Sequence, residues 1–265
     1  MTGILQITDI HIASKGKLAS GRLNTRVIFE KLVTRIKQIR KQIEPVSAVL
    51  ISGDLSDDGS AESYEFFKST MASVELPVFV IPGNHDHRET MRKAFKSDCY
   101  LPGTGKLNWH QQLEDIDLIG LDTLVEGQSG GVLDAATIKF LKGALDAAGQ
   151  RPVLLALHHP PFDCGIKFMD EIGLDGTEAL ANLLQNHKGD VQVVCGHIHS
   201  MIIASVGSTV AISAPSPCSS FAFDTRDDAP VGFFEQEDGF LFHRWRHGFQ
   251  SVRIAFDHGR GPFPF

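Results

Sequence analysis

The sequence predicts an α/β protein of two β-sheets with helices on their outer faces. Three observations carry this prediction. Through the first three-quarters of the chain, short apolar runs alternate with longer segments of helical periodicity. The last quarter reads as strands joined by Gly, Pro and Asp turns, with no helical pattern. No Pro/Ser-rich linker, internal repeat or low-complexity tract divides the 265 residues. A single domain over 1–265 is therefore expected: a βα core at 1–199, and strands at 200–265 that complete the second sheet.

Each element has its own signal. Ile4–Thr8 is a strand. From Arg26 to Ile43, apolar residues at Val27, Ile28, Leu32, Val33, Ile36, Ile39 and Ile43 follow helical spacing. Ala48–Ser52 is a strand, and Ser60 caps a helix through Ser73. Pro77–Ile81 is the next strand. Leu107–Gln111 and Asp115–Leu121 are short strands, the second setting Ile116, Leu118 and Leu121 among polar positions. Asp134 caps a helix to about Ala148. Pro152–Leu157 and Val191–Cys195 are strands on either side of a helix at Gly176–His187. The tail strands are Met201–Val206, Thr209–Ser213, Gly239–Trp245 and Ser251–Phe256.

Composition narrows the function classes. With 42% hydrophobic and 22% charged residues, the chain can bury a core without staples. The net charge is −7 and no basic stripe is present, so stable nucleic-acid binding is not expected. An anionic substrate would need positive charge supplied locally, as metal ions do. Cys99, Cys164, Cys195 and Cys218 form no CxxC pair, which suggests reduced thiols in a cytoplasmic protein, with Cys195 in a strand core. The start, MTGILQITDIH, has no basic n-region, and no run approaches the roughly 18 apolar residues of a membrane span. Neither export nor a membrane partner is expected.

The chemistry gathers at strand ends. Residues 81–89 read IPGNHDHRE: an apolar run stops at Pro82-Gly83, then Asn84, His85, Asp86, His87 and Arg88 crowd together. Four other strands end alike, in Asp9 and His11, in Asp54, in His158 and His159, and in His197 and His199. In open α/β sheets, ligands bind beyond the carboxyl ends of strands. Each of these alone reads more readily as a turn or a core histidine. Five in succession, each after an apolar run, point to one site of carboxylate, amide and imidazole groups. Such donors suit Mn, Fe, Zn or Co.

The series DIH (9–11), GD (53–54), GNHD (83–86), HHP (158–160) and GHIH (196–199) resembles the signature of the calcineurin-like metallophosphoesterase superfamily. The resemblance spans residues 9–199. It implies a four-layer α-β-β-α sandwich of two mixed β-sheets with a β-rich C-terminal part, and two divalent metal ions. Mn2+ or Fe2+ is the first choice, Zn2+ or Co2+ the alternative. Position by position, Asp9, His11, Asp54 and His199 resemble the ligands of one metal. Asp54, Asn84, His158 and His197 resemble those of the other, with Asp54 bridging. His85 resembles the histidine beside the leaving group, so His85 and Asp54 are the catalytic candidates. In such centres a hydroxide held between the metals attacks phosphorus in line. The His-x-Pro pattern fits both His158 and His159. His158 is preferred because it follows the apolar run directly, leaving His159 behind it or facing away.

Departures from the superfamily's branches are informative. GDLSDDGS (53–60) lacks the arginine with which phosphoprotein phosphatases grip phosphate, and Asp57 stands where purple acid phosphatases place a tyrosine ligand. What remains similar is the group of bacterial class III cyclic nucleotide phosphodiesterases and glycerophosphodiester phosphodiesterases. The expected substrate is a small phosphodiester, a 3′,5′-cyclic nucleotide such as cyclic AMP or a glycerophosphodiester. A promiscuous phosphomonoesterase, a nuclease and a non-catalytic metal-binding interaction scaffold are the alternatives. The resemblance also allows a homodimer or higher homo-oligomer. His87 and Arg88 fit either a phosphate contact or a salt-bridged surface. Loop 163–176 fits either a wall over the site or a dimer contact, and segment 213–223 is a candidate pocket lining. Asp86 is expected to orient its loop. His243, His247 and His258 are expected at the surface.

Overall fold

The computed structural model describes residues 2–43, 45–236, 238–257, 259–261 and 263–264. The first half contains β1 (Gly3–Ile7), α1 (Thr25–Ile39), β2 (Ala48–Ser52), α2 (Ala61–Met71), β3 (Val78–Ile81), α3 (Arg88–Ala94), β4 (Trp109–Gln112) and β5 (Asp117–Gly120). Next come β6 (Gly131–Val132), α4 (Ala135–Ala148), β7 (Val153–Ala156), α5 (Lys167–Glu171), β8 (Leu174–Asp175), α6 (Thr177–Asn186) and β9 (Val191–Cys195). The tail holds β10 (Ile203–Val206), β11 (Thr209–Ser213), β12 (Ser220–Phe221), β13 (Phe233–Phe234), β14 (Phe240–Trp245) and β15 (Phe249–Ile254). Ser60 and Asp134 cap α2 and α4 through their side chains, as their positions suggest. α3 and α5 are short and bury only Met91 and Met169 respectively, so they leave no apolar period to read.

Two mixed sheets form the inner layers. One has the order β15-β14-β1-β2-β3, the other β10-β11-β9-β7-β5-β4. The period-two alternation of each strand decides its two faces. In β1 and β2, Leu5, Ile7, Val49 and Ile51 turn outward to pack under Phe29, Leu32, Ile36 and Phe67 of α1 and α2. Their alternates Ile4, Ala48 and Leu50 turn inward, against Trp109, Leu118, Leu154 and Val194 of the other sheet. That second sheet has its own outer core with α4 and α6, through Leu141, Leu145, Leu180 and Leu184. The layers are α-β-β-α.

The tail departs from expectation. β10 and β11 extend the second sheet through β9, but β14 and β15 belong to the first. β14 pairs antiparallel with β1, Gly3 opposite Arg244 through Gln6 opposite Leu241. β2 occupies the other edge of β1, so this is the position open to β14. Alternation in a sequence identifies a strand but not its neighbour.

A polar seam also runs between the sheets. Nε2 of Gln6 donates to Ser52 Oγ and to the Cys195 carbonyl, both at 2.8 Å. The Gln6 carbonyl oxygen lies 2.9 Å from His243 Nε2, and Nδ1 of that histidine lies 2.8 Å from Ser251 Oγ. His243 is therefore buried rather than at the surface. It shares the inward face of β14 with Leu241. His247 is exposed as expected, and His258 lies outside the described residues.

Candidate metal centre

The ends of β1, β2, β3, β7 and β9 converge, and the backbone locks them together. Asp9 N–H donates to the Gly53 carbonyl at 3.1 Å and His11 N–H to the Asp54 carbonyl at 2.9 Å. His197 N–H donates to the Asp9 carboxylate at 3.0 Å, and His85 N–H to Asp54 Oδ1 at 2.9 Å. Close approach explains two glycines. A Cβ at Gly83 would run into the Asp54 carboxylate, and one at Gly196 into Thr8 Oγ1 and the Asp9 carboxylate. Asp9, His11, Asp54, His197 and His199 all have positive φ, between 49° and 71°. Non-glycine residues avoid that region, and clusters of them mark functional sites.

Two overlapping groups of donors result. Asp9, His11 and His199 bring ligand atoms within 4.8 Å of one another, and so do Asp9, Asp54 and His158. Asp54 Oδ2 stands between them, 3.6 Å from His11 Nε2 and 3.4 Å from His158 Nε2. Asp9 Oδ1 lies 3.4 Å from His199 Nε2. The amide oxygen of Asn84 lies 3.2 Å from His158 Nε2 and 3.0 Å from His197 Nδ1. All seven predicted ligands meet here.

The outer hydrogen bonds show which nitrogens are bare. A carbonyl oxygen only accepts, so a ring nitrogen bonded to one must carry the proton. His158 Nδ1 faces the Ser52 carbonyl at 2.8 Å, and His197 Nε2 faces the Ile172 carbonyl at 3.2 Å. Burial keeps His197 neutral, its pKa lowered to about 3, so its Nδ1 turns a lone pair toward the Asn84 oxygen, which also carries lone pairs, while His158 aims Nε2 at the Asp54 and Asn84 oxygens. Nε2 of His11 and Nε2 of His199 face each other at 3.2 Å, while His199 Nδ1 rests on Ser219 Oγ at 3.0 Å. Lone pairs aimed at lone pairs are stable when cations lie between them, so the donor set fits metal ions.

Electrostatics agree. Burial raises the pKa of Asp9, but His199 and His158 outweigh it and hold the carboxyl below its usual range. For Asp54, burial is likewise outweighed by His158 and His11. Burial lowers His158, but Asp54 and Asp9 push it up to about 9. For His85, Asp54 and the Asp57 carbonyl and carboxylate prevail over burial, and the shift is upward.

Other predicted residues take definite places. His159 stays beside His158 and His197, its ring 4.6 Å from that of His197, but its nitrogens have other partners, Nδ1 2.8 Å from Thr123 Oγ1 and Nε2 3.1 Å from the Ser129 carbonyl. Asp86 ties the loop down, accepting from Gly83 N–H and the Tyr64 hydroxyl, both at 2.9 Å. Arg88 grips buried Asp122 with two bonds, of 2.7 and 3.0 Å, and His87 packs over Gly59. Neither lines the metal-site cavity. Loop 163–176 forms a wall there through Phe168, Met169 and Ile172. Ser219 and Phe221 of segment 213–223 line it too, the Phe221 ring 4.8 Å from that of His199. Cys195 is buried in β9, and Cys218 is buried with its thiol on the Ile10 carbonyl. Sequence reasoning did not find Ser219 or the Ile172 carbonyl as anchors of the histidines.

The cavity over the cluster has a volume of about 270 Å³. A larger one, about 800 Å³, lies behind it and shares Ser129, Met169 and Ile172 with it, but none of the proposed ligands. The chemistry is thus in the smaller space. Among the described residues no helix is long and apolar enough to cross a membrane.

An α-β-β-α sandwich with two donor clusters sharing carboxylates at its strand ends defines a metal-dependent hydrolase. Residues 2–201 match the family described as calcineurin-like phosphoesterase, and the chain belongs to that family. It is 31% identical over 265 residues to a probable glycerophosphodiester phosphodiesterase GpdQ of Arcobacter nitrofigilis, covering 99% of this chain and 96% of that one. It is 30% identical over 227 residues to the 3′,5′-cyclic adenosine monophosphate phosphodiesterase CpdA of Pseudomonas aeruginosa, covering 84% of this chain and 79% of the other. In three dimensions it is similar to a dimetal phosphatase from Danio rerio, with TM-score 0.62, 14% identity and coverage of 97% and 99%. A yellow lupin purple acid phosphatase superposes with TM-score 0.69 at 14% identity over 98% of this chain, which spans about half (52%) of that enzyme. The last two likenesses concern the fold.

Proposed function

We propose that the protein hydrolyses small phosphodiesters with two divalent metal ions bound. Asp9, His11, Asp54 and His199 hold one ion; Asp54, Asn84, His158 and His197 hold the other. The observation that carries this reading is the position of Asp54 Oδ2, within 3.6 Å of His11 Nε2 and 3.4 Å of His158 Nε2, between two sets of imidazole nitrogens. When bound, the ions supply Lewis acidity toward a phosphoryl oxygen and bring the pKa of water toward neutrality. Oxygen and nitrogen donors without thiolate suit manganese, iron, zinc or cobalt.

The chain's own residues do the rest. Backbone bonds from His85 and His197 fix the two aspartates, and Ser52, Ser219 and Ile172 fix the imidazoles. His85 stands at the cavity edge with Nδ1 tied to the Asp57 carbonyl, so Nε2 is the nitrogen that hands a proton to the departing alkoxide. No Lys or Arg among the described residues lines the cavity. A monoanionic diester suits such a site better than a dianionic monoester. Four cysteines with no CxxC pair suit a reducing, cytoplasmic setting.

The test is kcat/KM of the manganese-loaded protein on 3′,5′-cyclic AMP and on glycerophosphocholine, beside bis-aryl and mono-aryl phosphates. The bis-aryl ester is expected to exceed the mono-aryl ester. The reverse ranking would overturn the diester reading. Preference between the two natural diesters decides whether the substrate is a cyclic nucleotide or a glycerophosphodiester.

A further inference from the structure

We propose that the apolar wall opposite the donor cluster is a subsite for a planar, apolar arm of the substrate, built by Phe168, Phe221, Val231 and Phe233. The assignment rests on the phosphodiesterase reading, and it adds which second ester group the site accepts.

The wall and the metal-binding floor belong to one cavity of about 270 Å³. Its floor carries the histidines, Asp54 and Asn84. Its wall comes from chain segments far apart in sequence: α5 supplies Phe168, and the β12–β13 ladder with the turn before β13 supplies the rest. Phe221 and Phe233 are direct cross-strand partners, so their side chains emerge on the same face of the ladder. The Phe221 ring already lies 4.8 Å from the His199 ring, at the boundary between wall and floor.

The wall is not fully covered by the protein itself. Phe168 is 38% exposed and Val231 is 64% exposed. Apolar side chains grouped at a cavity mouth mark a surface for a ligand. Besides the donor cluster, His85 and Asp57, the polar lining is Ser20, Ser129 and Ser219, and Ser219 is already engaged with His199 Nδ1. A polyol arm placed here would lose water and find few partners, which is unfavourable. A flat ring would bury apolar area and lose nothing. The volume is near the lower end of the roughly 300 to 1,000 Å³ usual for ligand sites, enough for a phosphoryl group and one ring-sized arm.

Phosphinates test the wall without turnover, because their P–C bonds are not hydrolysed. Calorimetric binding of methylphenylphosphinate and of dimethylphosphinate to the manganese-loaded protein compares a planar arm with a minimal one at equal charge. The phenyl compound is expected to bind at least about tenfold more tightly, from the apolar area it covers. Phe233→Ser should reduce that ratio to about two or below. Val231→Ser, at an exposed position that does not threaten folding, should reduce it in the same direction. Equal affinities in the unaltered protein, or a ratio that neither substitution moves, would overturn the proposal. Turnover of p-nitrophenyl phenyl phosphate, measured alongside, separates the two readings. A phenyl preference without turnover leaves the subsite standing and removes the phosphodiesterase reading. Turnover without a phenyl preference does the opposite.

Discussion

Nδ1 of His85 lies 3.1 Å from the carbonyl oxygen of Asp57 and 3.8 Å from its carboxylate, and these contacts fix which way the imidazole faces. The proton on Nδ1 is held by the backbone, so Nε2 is free to exchange with a ligand. His85→Ala is expected to lower kcat by about 10²- to 10⁴-fold on a diester with an alkyl leaving group. The loss should be much smaller with p-nitrophenol, which departs without a proton. A leaving-group series measured on both proteins checks this; equal losses along the series would remove His85 from the role of acid.

Ser219 steadies His199 from behind, with Oγ 3.0 Å from Nδ1. Removing such a partner typically lowers metal affinity by about 10- to 100-fold. Ser219→Ala should therefore weaken one of two metal-binding steps in a manganese titration, and Ser219→Thr should restore it. An unchanged titration would show that the ring holds its orientation without the serine.

Arg88 is a structural residue in this geometry. Its guanidinium forks onto Asp122, which is fully buried, and also reaches the Leu124 carbonyl at 2.9 Å. Arg88→Ala strands a buried carboxylate and is expected to cost roughly 3 kcal/mol in denaturant unfolding. KM for a diester should stay within about twofold. A large rise in KM at unchanged stability would place Arg88 on the substrate instead.

His243 links acidity to stability. Its pKa is lowered to about 3 by burial, while Gln6 and Ser251 satisfy the neutral ring. The folded value lies below the unfolded value of about 6.5. Its contribution is therefore complete above pH 6.5 and declines as pH falls from there to about 3, because the unfolded chain takes the proton more readily. Unfolding free energies from pH 8 to 4 should show this decline, and His243→Gln should flatten it. Identical slopes in the two proteins would rule the histidine out as the source.

How much of this was legible in the sequence depended on distance along the chain. Asp9, Asp54, Asn84, His158 and His197 sit within three residues of the end of an apolar run, and His11 and His199 two residues beyond Asp9 and His197, so all could be found by reading each strand to its end. The choice of His158 over His159 also rested on a local cue, the end of the run. The bonds that orient these ligands are not local. Ser219 is 20 residues from His199, and the Ile172 carbonyl is 25 residues from His197. Nothing in a serine-rich segment or a loop isoleucine announces such a partner. The seat of β14 and β15 was hidden for the same reason, since pairing with β1 joins residues about 240 apart. His243 had one usable cue: it follows Leu241 at a spacing of two, and the face of β14 that carries Leu241 is buried.

The positive φ angles at Asp9, His11, Asp54, His197 and His199 give the molecule a standing internal tension. Such positions favour glycine, and each non-glycine residue held there costs on the order of 1 kcal/mol or more. The chain is thus held below the stability it could reach with glycine at these five positions. Selection for heat resistance alone, with no demand for turnover, would erode this centre first. Persistence of all five side chains in a laboratory lineage therefore reports that activity is being selected.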